Sequence, residues 1–283
     1  MIRLSAFSDE AGADLSVQIA ALQRNNIHLT ELRAVGGKNV KDLTPAETRE
    51  IASRLADGGI GLSALGSPMG KVKISVDFEE YLDSVKAMCE TACILGTDRI
   101  RMFSFFDAYD QRERVIEYLN RMVETAASYR LFLCHENEKK IYGDTVERIL
   151  DLRVNVPGLR FVYDPANFLQ TDEMPEKTLP TIHPISDYFH IKDVIVETEQ
   201  LVPAGQGDGR IPELISMIDR DTVLTLEPHL KVFAGYSEID GEKMNHRFEY
   251  KNGDEAFDAA VTSLKGLLSA AGYKENAKGE FTK

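Results

Sequence analysis

Basic residues are scarce in this chain. Thirty-three Lys and Arg stand against 46 Asp and Glu in 283 residues, a formal charge of −13 and a pI near 5.0. Such a surface repels phosphate backbones, and no basic block overrides it, so nucleic acid is excluded as a partner. Cysteine is scarce as well. Cys89, Cys93 and Cys134 form no Cys-x-x-Cys pair and no even-numbered set, which excludes a disulfide framework. Cys89 and Cys93, four apart in a helical pattern, are expected to pack as small buried hydrophobes. No run approaches eighteen apolar residues, so nothing is expected to span a membrane. Met1-Ile2-Arg3-Leu4-Ser5 lacks the charged start and apolar stretch of a signal peptide, and the expected location is the cytoplasm. Low-complexity tracts and linkers are also missing. One domain over 1–273 is expected, with a charged tail, 274–283, that frays.

What is present is 43% hydrophobic residues, enough for a sizeable core, laid out as a strict alternation. Short apolar runs at 2–7, 29–32, 60–65, 99–103, 131–134, 159–163, 188–191 and 223–226 read as strands. Amphipathic segments follow each of them. Thr44-Pro45-Ala46-Glu47 predicts a helix start with Thr as N-cap, Pro at the first position and Glu closing a capping box. Asp77 with Glu80, and Asp144 with Glu147, predict two more. Gly58-Gly59 and Gly96 supply helix ends. The proline-punctuated stretch 174–183 carries the weakest helical pattern. The last helix, within 254–271, stacks Phe257, Ala260, Val261, Leu264 and Leu268 on one face. Eight strand–helix pairs in unbroken alternation predict an α/β fold, a single-domain (β/α)8 TIM barrel. A doubly wound sheet would need a phosphate fingerprint after its first strand. Ser8-Asp9-Glu10-Ala11-Gly12 contains none.

Barrels place their chemistry at the C-terminal ends of the strands. The fifth strand ends in Glu136, the sixth in Asp164, the seventh in His190 and the eighth in Glu227. Three carboxylates and one imidazole at one height form an oxygen-rich set suited to Mn²⁺, Mg²⁺, Co²⁺ or Zn²⁺. The spacings of 28, 26 and 37 residues are only what a βα unit requires, so strand-end placement carries the inference.

Several motifs give the chain a family likeness: Glu31-Leu32-Arg33, Gly66-Ser67-Pro68 with Gly70-Lys71, and His135-Glu136-Asn137-Glu138 leading to Tyr142-Gly143-Asp144. Asp164-Pro165-Ala166-Asn167, His190-Ile191-Lys192-Asp193 and Leu226-Glu227-Pro228-His229 complete the set. Over nearly its whole length the chain resembles the xylose-isomerase-like TIM-barrel superfamily, often labelled sugar phosphate isomerase/epimerase. The resemblance implies that Glu136, Asp164, His190 and Glu227 bind one divalent ion, commonly manganese. It also implies that Glu136 and Glu227 act as acid and base on opposite sides of a sugar. A metal chelating a carbonyl and its neighbouring hydroxyl stabilises an enediolate, so that one glutamate takes a proton and the other returns it. Return to the same carbon is epimerisation and to the adjacent carbon isomerisation; loss of a β-hydroxyl is dehydration.

Two departures bear on the choice. The ketose 3-epimerase branch has a histidine where this chain has Asn167, and an arginine where it has Val196. His190-Ile191-Lys192-Asp193 resembles instead the inosose-dehydratase-like branch, in which such a lysine acts on substrate oxygen. The expected activity is a metal-dependent sugar isomerase or epimerase. The alternatives are a lyase using Lys192 on an inosose, keto-sugar or keto-glycoside, and a non-catalytic sugar-binding subunit. The substrate is a small sugar or cyclitol, with Glu31, Arg33, Ser67, Lys71, Arg101, Asn167 and His229 expected around it. Arg33 and Arg101 either bind a substrate anion or neutralise the rim. Dimerisation is frequent among barrels of this resemblance. His135 should point away from Glu136 and be structural. The glycine-rich stretch Pro203-Ala204-Gly205-Gln206-Gly207-Asp208-Gly209 lies where barrels often hold phosphate, but carries Asp208 and no Lys, which favours a tight turn over an anion site.

Overall fold

The computed structural model describes residues 1–233 and 245–283. Eight parallel strands form the wall: β1 (Ile2–Ala6), β2 (Leu29–Leu32), β3 (Gly61–Gly66), β4 (Arg99–Met102), β5 (Phe132–Glu136), β6 (Arg160–Tyr163), β7 (Tyr188–Ile191) and β8 (Thr222–Leu226). Helices α1 (Leu15–Arg24), α2 (Pro45–Asp57), α3 (Phe78–Leu95), α4 (Arg112–Ser128) and α5 (Val146–Asn155) follow the first five. The sixth unit carries two, α6 (Pro165–Leu169) and α7 (Pro175–Ile182); α8 (Ile211–Ser216) and α9 (Gly253–Ala270) follow β7 and β8. This is the TIM barrel that the alternation predicts.

Local chemistry sets the helix boundaries. Thr44 accepts from the Glu47 amide while the Glu47 carboxylate accepts from the Thr44 amide, so the capping box forms as predicted. Asp77 caps α3 by accepting from Glu79 and Glu80, and Gly96 ends it at φ 77°. The third box differs. Thr145, not Asp144, caps α5 by accepting from Arg148. Asp144 is drawn instead to the Arg148 guanidinium at 2.6 Å and the Tyr109 hydroxyl at 2.5 Å. In α7, Pro175 starts the helix and Pro180 has no amide to continue its bonding, which explains the faint pattern there. Cys89 is buried on α3, but Cys93 is exposed, contrary to expectation. Helix α9 buries Phe257, Ala260, Val261, Leu264 and Leu268 against the wall, each worth about 2 kcal/mol of burial for the larger side chains.

The ladder runs from β1 to β8 and back down to β2 in the order β1-β8-β7-β6-β5-β4-β3-β2. Among the described residues no ladder joins β1 to β2. Side chains bridge that seam: Thr30 donates to the Ala6 carbonyl at 3.0 Å and meets Ser8 at 3.0 Å. The tail does not fray. Its segments Lys274–Glu275 and Glu280–Thr282 form an antiparallel hairpin whose second strand pairs with β1 at Ile2 and Arg3, on the edge turned from β8. Phe281 is buried in the core. The hairpin turn sits so close to the chain before β2 that a Cβ at Gly279 would fall 2.1 Å from the Asn26 carbonyl, at φ +71°. No helix among the described residues is long and apolar enough to cross a membrane.

Candidate metal centre

Side chains two apart on a strand share a face, so a barrel interior is built in storeys. Leu29, Ala64, Cys134, Val162, Tyr188 and Val223, from six strands, pack together as an apolar floor. Two residues further along, β2, β5, β6 and β7 bring in Glu31, Glu136, Asp164 and His190. From β8, Glu227 arrives four residues after Val223. Arg33, Glu138, Lys192 and His229 stand one step higher.

Glu136, Asp164, His190 and Glu227 each offer a ligand atom within 4.8 Å of the others, and all four are buried. His190 Nδ1 lies 3.0 Å from Glu136 Oε1 and 3.4 Å from Glu227 Oε2. Its Nε2 lies 3.1 Å from Glu31 Oε2, and Glu31 Oε1 accepts from the Tyr188 hydroxyl at 3.1 Å. Lys192 Nζ reaches Asp164 Oδ2 at 3.0 Å and Glu227 Oε2 at 3.6 Å. Asn167 donates through its amide nitrogen to Glu136 at 3.1 Å and through its backbone to Asp164 at 3.0 Å.

The electrostatics are those of a cation site. Burial, reinforced by the Glu136 and Glu227 charges, lifts the Asp164 carboxyl to about 7 against the pull of Lys192. Burial would also raise Glu227, but the Lys192 charge and the His190 and His229 imidazoles hold it well below the carboxylate range. Burial alone would discharge His190 and Lys192. The carboxylates around them outweigh it and hold both well above their ordinary values.

The donor set fits a divalent ion. Bonds of about 2.1 Å in octahedral geometry put ligand atoms about 3 to 4.2 Å apart, and the four groups lie within that span or slightly beyond it, at up to 4.8 Å. Asp164 Oδ2 and Glu227 Oε2 are wholly buried and make no well-aligned hydrogen bond; both instead face the Lys192 ammonium, at 3.0 and 3.6 Å, so one positive charge already stands where these acceptors converge. A ligand at Nδ1 leaves Nε2–H for Glu31, the carboxylate–histidine arrangement that orients metal-binding imidazoles.

The remaining predicted residues divide. Asn167 and Glu31 touch the cluster from the side. Glu31 is 0% exposed, so it faces His190 and not solvent. Arg33 donates to Asp9 through two nitrogens at 3.0 and 3.1 Å, to Glu10 at 3.3 Å and to Glu227 at 3.0 Å. Arg101 lies 3.4 Å from Glu136 and 3.8 Å from Glu31. Both guanidiniums are thus paired with carboxylates of the site itself. Lys71 pairs with Glu138 at 3.0 Å beside Phe103, on the upper storey. His229, in the left-handed region at φ 47°, has its amide held by Glu10 at 2.8 Å and its ring 3.5 Å from Glu227. Ser67 is directed away, donating to the Arg101 carbonyl at 2.7 Å. His135 points away from the cluster to Ser104 at 2.9 Å, and burial pushes it down to about 3.

Asp9, Glu10, Asn137 and Tyr188 were not singled out in the sequence. Asp9 and Glu10 follow β1, where the strand-end rule already marked four other strands. Asn137 exchanges two hydrogen bonds with the Asp164 backbone, at 2.8 and 2.9 Å, tying the end of β5 to the end of β6 beside the cluster.

The family model described as xylose isomerase-like TIM barrel matches residues 19–244. No curated protein matches the sequence. Solved structures share the fold at low identity. An L-ribulose 3-epimerase superposes with a TM-score of 0.72 at 16% identity, covering 96% of this chain and 96% of that one. The probable 3-DHS dehydratase AsbF of Bacillus anthracis gives 0.71 at 16%, covering 94% and 98%. The IOLI protein, solved with a zinc atom, gives 0.71 at 16%, covering 95% and 99%.

Proposed function

The chain belongs to the xylose isomerase-like TIM-barrel family, and on that premise we propose that it is a divalent-metal-dependent sugar isomerase or epimerase. The observation that supports this most is the convergence of four buried ligand-type groups from four adjacent strand ends, with ligand atoms within 4.8 Å of one another. Glu136, Asp164, His190 and Glu227 would hold the ion, manganese first, with magnesium, cobalt or zinc as alternatives. Once bound, a divalent cation supplies Lewis-acid stabilisation of charge developing on a carbonyl oxygen.

The residues supply the rest. Glu227, held ionised by its neighbours, takes the proton from the carbon beside the carbonyl, and the C–H electron pair moves toward that oxygen. Glu136, hydrogen-bonded by Asn167, returns a proton from the other side. Arg33 fixes the Glu227 carboxylate through Oε1 and leaves Oε2 facing the cluster. Burial of the cluster excludes water and strengthens each interaction.

One observation favours a second reading. The Lys192 ammonium stands 3.6 Å from Glu227 Oε2, where it can protonate a departing β-hydroxyl after the same proton abstraction. That makes the reaction an elimination. The substrate in either case is a small sugar or cyclitol.

Metal analysis of the purified chain beside Glu136→Gln tests the centre. About one Mn²⁺, Co²⁺ or Zn²⁺ per chain, weakened in the variant, supports it. Incubation with ketoses and inososes in D₂O then separates the chemistry: retained mass with deuterium incorporation indicates isomerisation or epimerisation, and loss of water indicates elimination. No metal in either protein after Mn²⁺ is added, and no exchange, would leave a sugar-binding subunit.

A further inference from the structure

TIM barrels often hold a substrate phosphate with backbone amides of the loops after the seventh and eighth strands. In this chain a glycine-rich loop occupies that position, and its amides already have an anion. The Asp193 carboxylate accepts from Gly205 at 2.8 Å, Gly207 at 3.0 Å and Gly209 at 2.9 Å, and from Val194 at 3.0 Å. The glycines are needed for that approach. A Cβ at Gly207 would lie 2.4 Å from Asp193 Oδ1, and one at Gly209 2.8 Å from the same atom. Asp193 is buried and directly follows Lys192, whose ammonium reaches Asp164 of the cluster. Asp208, the loop's other acid, accepts from the Val196 amide at 2.8 Å.

The cations nearest the centre are engaged in the same way. Arg33 is shared among Asp9, Glu10 and Glu227, Arg101 between Glu31 and Glu136, and Lys71 bonds Glu138. Among the described residues, a dianion entering at any of these cations or at the glycine loop would displace a carboxylate from its donors, in a chain whose net charge already repels it.

We infer that the substrate carries no phosphoryl group: the chain's own Asp193 fills the phosphate position, and the site takes a free polyhydroxy carbonyl compound. This inference rests on the sugar-converting function proposed above. Its test therefore includes an arm that needs no turnover.

Inorganic phosphate is titrated calorimetrically into the intact chain, with and without EDTA to remove phosphate bound through a metal. The same titration is run on Asp193→Ala, which empties the amide nest. Enzyme sites engage their substrates at about 1 μM to 1 mM. The expected result is no saturable phosphate binding to the chelated wild type near 1 mM, and new binding in a folded Asp193→Ala. Saturable binding to the chelated wild type overturns the inference whether or not the variant folds. In the turnover arm, free ketoses and their phosphate esters are compared for deuterium exchange. A preference of at least a hundredfold for the free sugar supports the inference, and equal or better exchange of the ester overturns it. If neither exchanges, the proposed function fails while the phosphate titration still decides this point.

Discussion

Along β5 and β7 the barrel interior changes character within two residues. Cys134 and Tyr188 belong to an apolar floor, while Glu136 and His190 belong to a storey of buried charge. The floor is held by burial, which is non-directional and tolerates a change of shape at modest cost. The storey above is held by pairing, and each charge there depends on a partner having the right sign and place. Stability and chemistry are thus stacked on the same strands.

Removing a pairing partner should show the difference most strongly. Arg33→Met leaves Asp9, Glu10 and Glu227 buried without their shared cation, and a loss of about 3–5 kcal/mol is expected in urea unfolding. A loss below 1 kcal/mol would mean that the upper storey tolerates substitution as the floor does. Glu31→Gln is expected to act on metal rather than on fold. Mn²⁺ affinity should fall about 10- to 100-fold with little change in Tm, because Glu31 orients His190. Unchanged affinity would remove Glu31 from the centre. Val162→Ala in the floor should do the reverse, destabilising by about 1–2 kcal/mol while metal affinity stays at the wild-type value.

The smallest effect concerns the two faces of β5. Next to Glu136, His135 is buried and held down to about 3, so the unfolded chain binds a proton there that the folded chain refuses. Stability from this residue is complete above about pH 6.5 and declines as pH falls toward 3, by up to about 1.4 kcal/mol per unit. Urea unfolding of wild type against His135→Gln at pH 7.0 and 5.5 measures it. An identical pH dependence in the two proteins would refute the assignment.

Much of this was legible in the sequence, for physical reasons. Strand and helix order follow from periodicity and caps, and Thr44 with Glu47 forms the predicted box because both partners lie within one turn. The convergence of Glu136, Asp164, His190 and Glu227 was legible because a strand end fixes a side chain's height. Height does not specify neighbours. Arg33 and Arg101 have the position of substrate-binding residues, yet the carboxylates that engage them arrive from β1, β2, β5 and β8, which local spacing does not register. Asp144 failed as a cap for the same reason: Tyr109 comes from another βα unit. The hairpin at 274–283 was hidden because its charged composition resembles that of a frayed end, while its stability comes from a pairing some 280 residues away along the chain.

That pairing has a temporal side. The first strand leaves the ribosome before the rest of the wall, and the segment that covers its open edge leaves after every other strand. At about 5–20 residues per second the wait is roughly 15–55 s. Through that interval the nascent chain carries an uncovered β edge, the element most prone to pair with a stranger. A chain shortened by its last ten residues would therefore keep every strand of the wall and leave the edge of the first one bare.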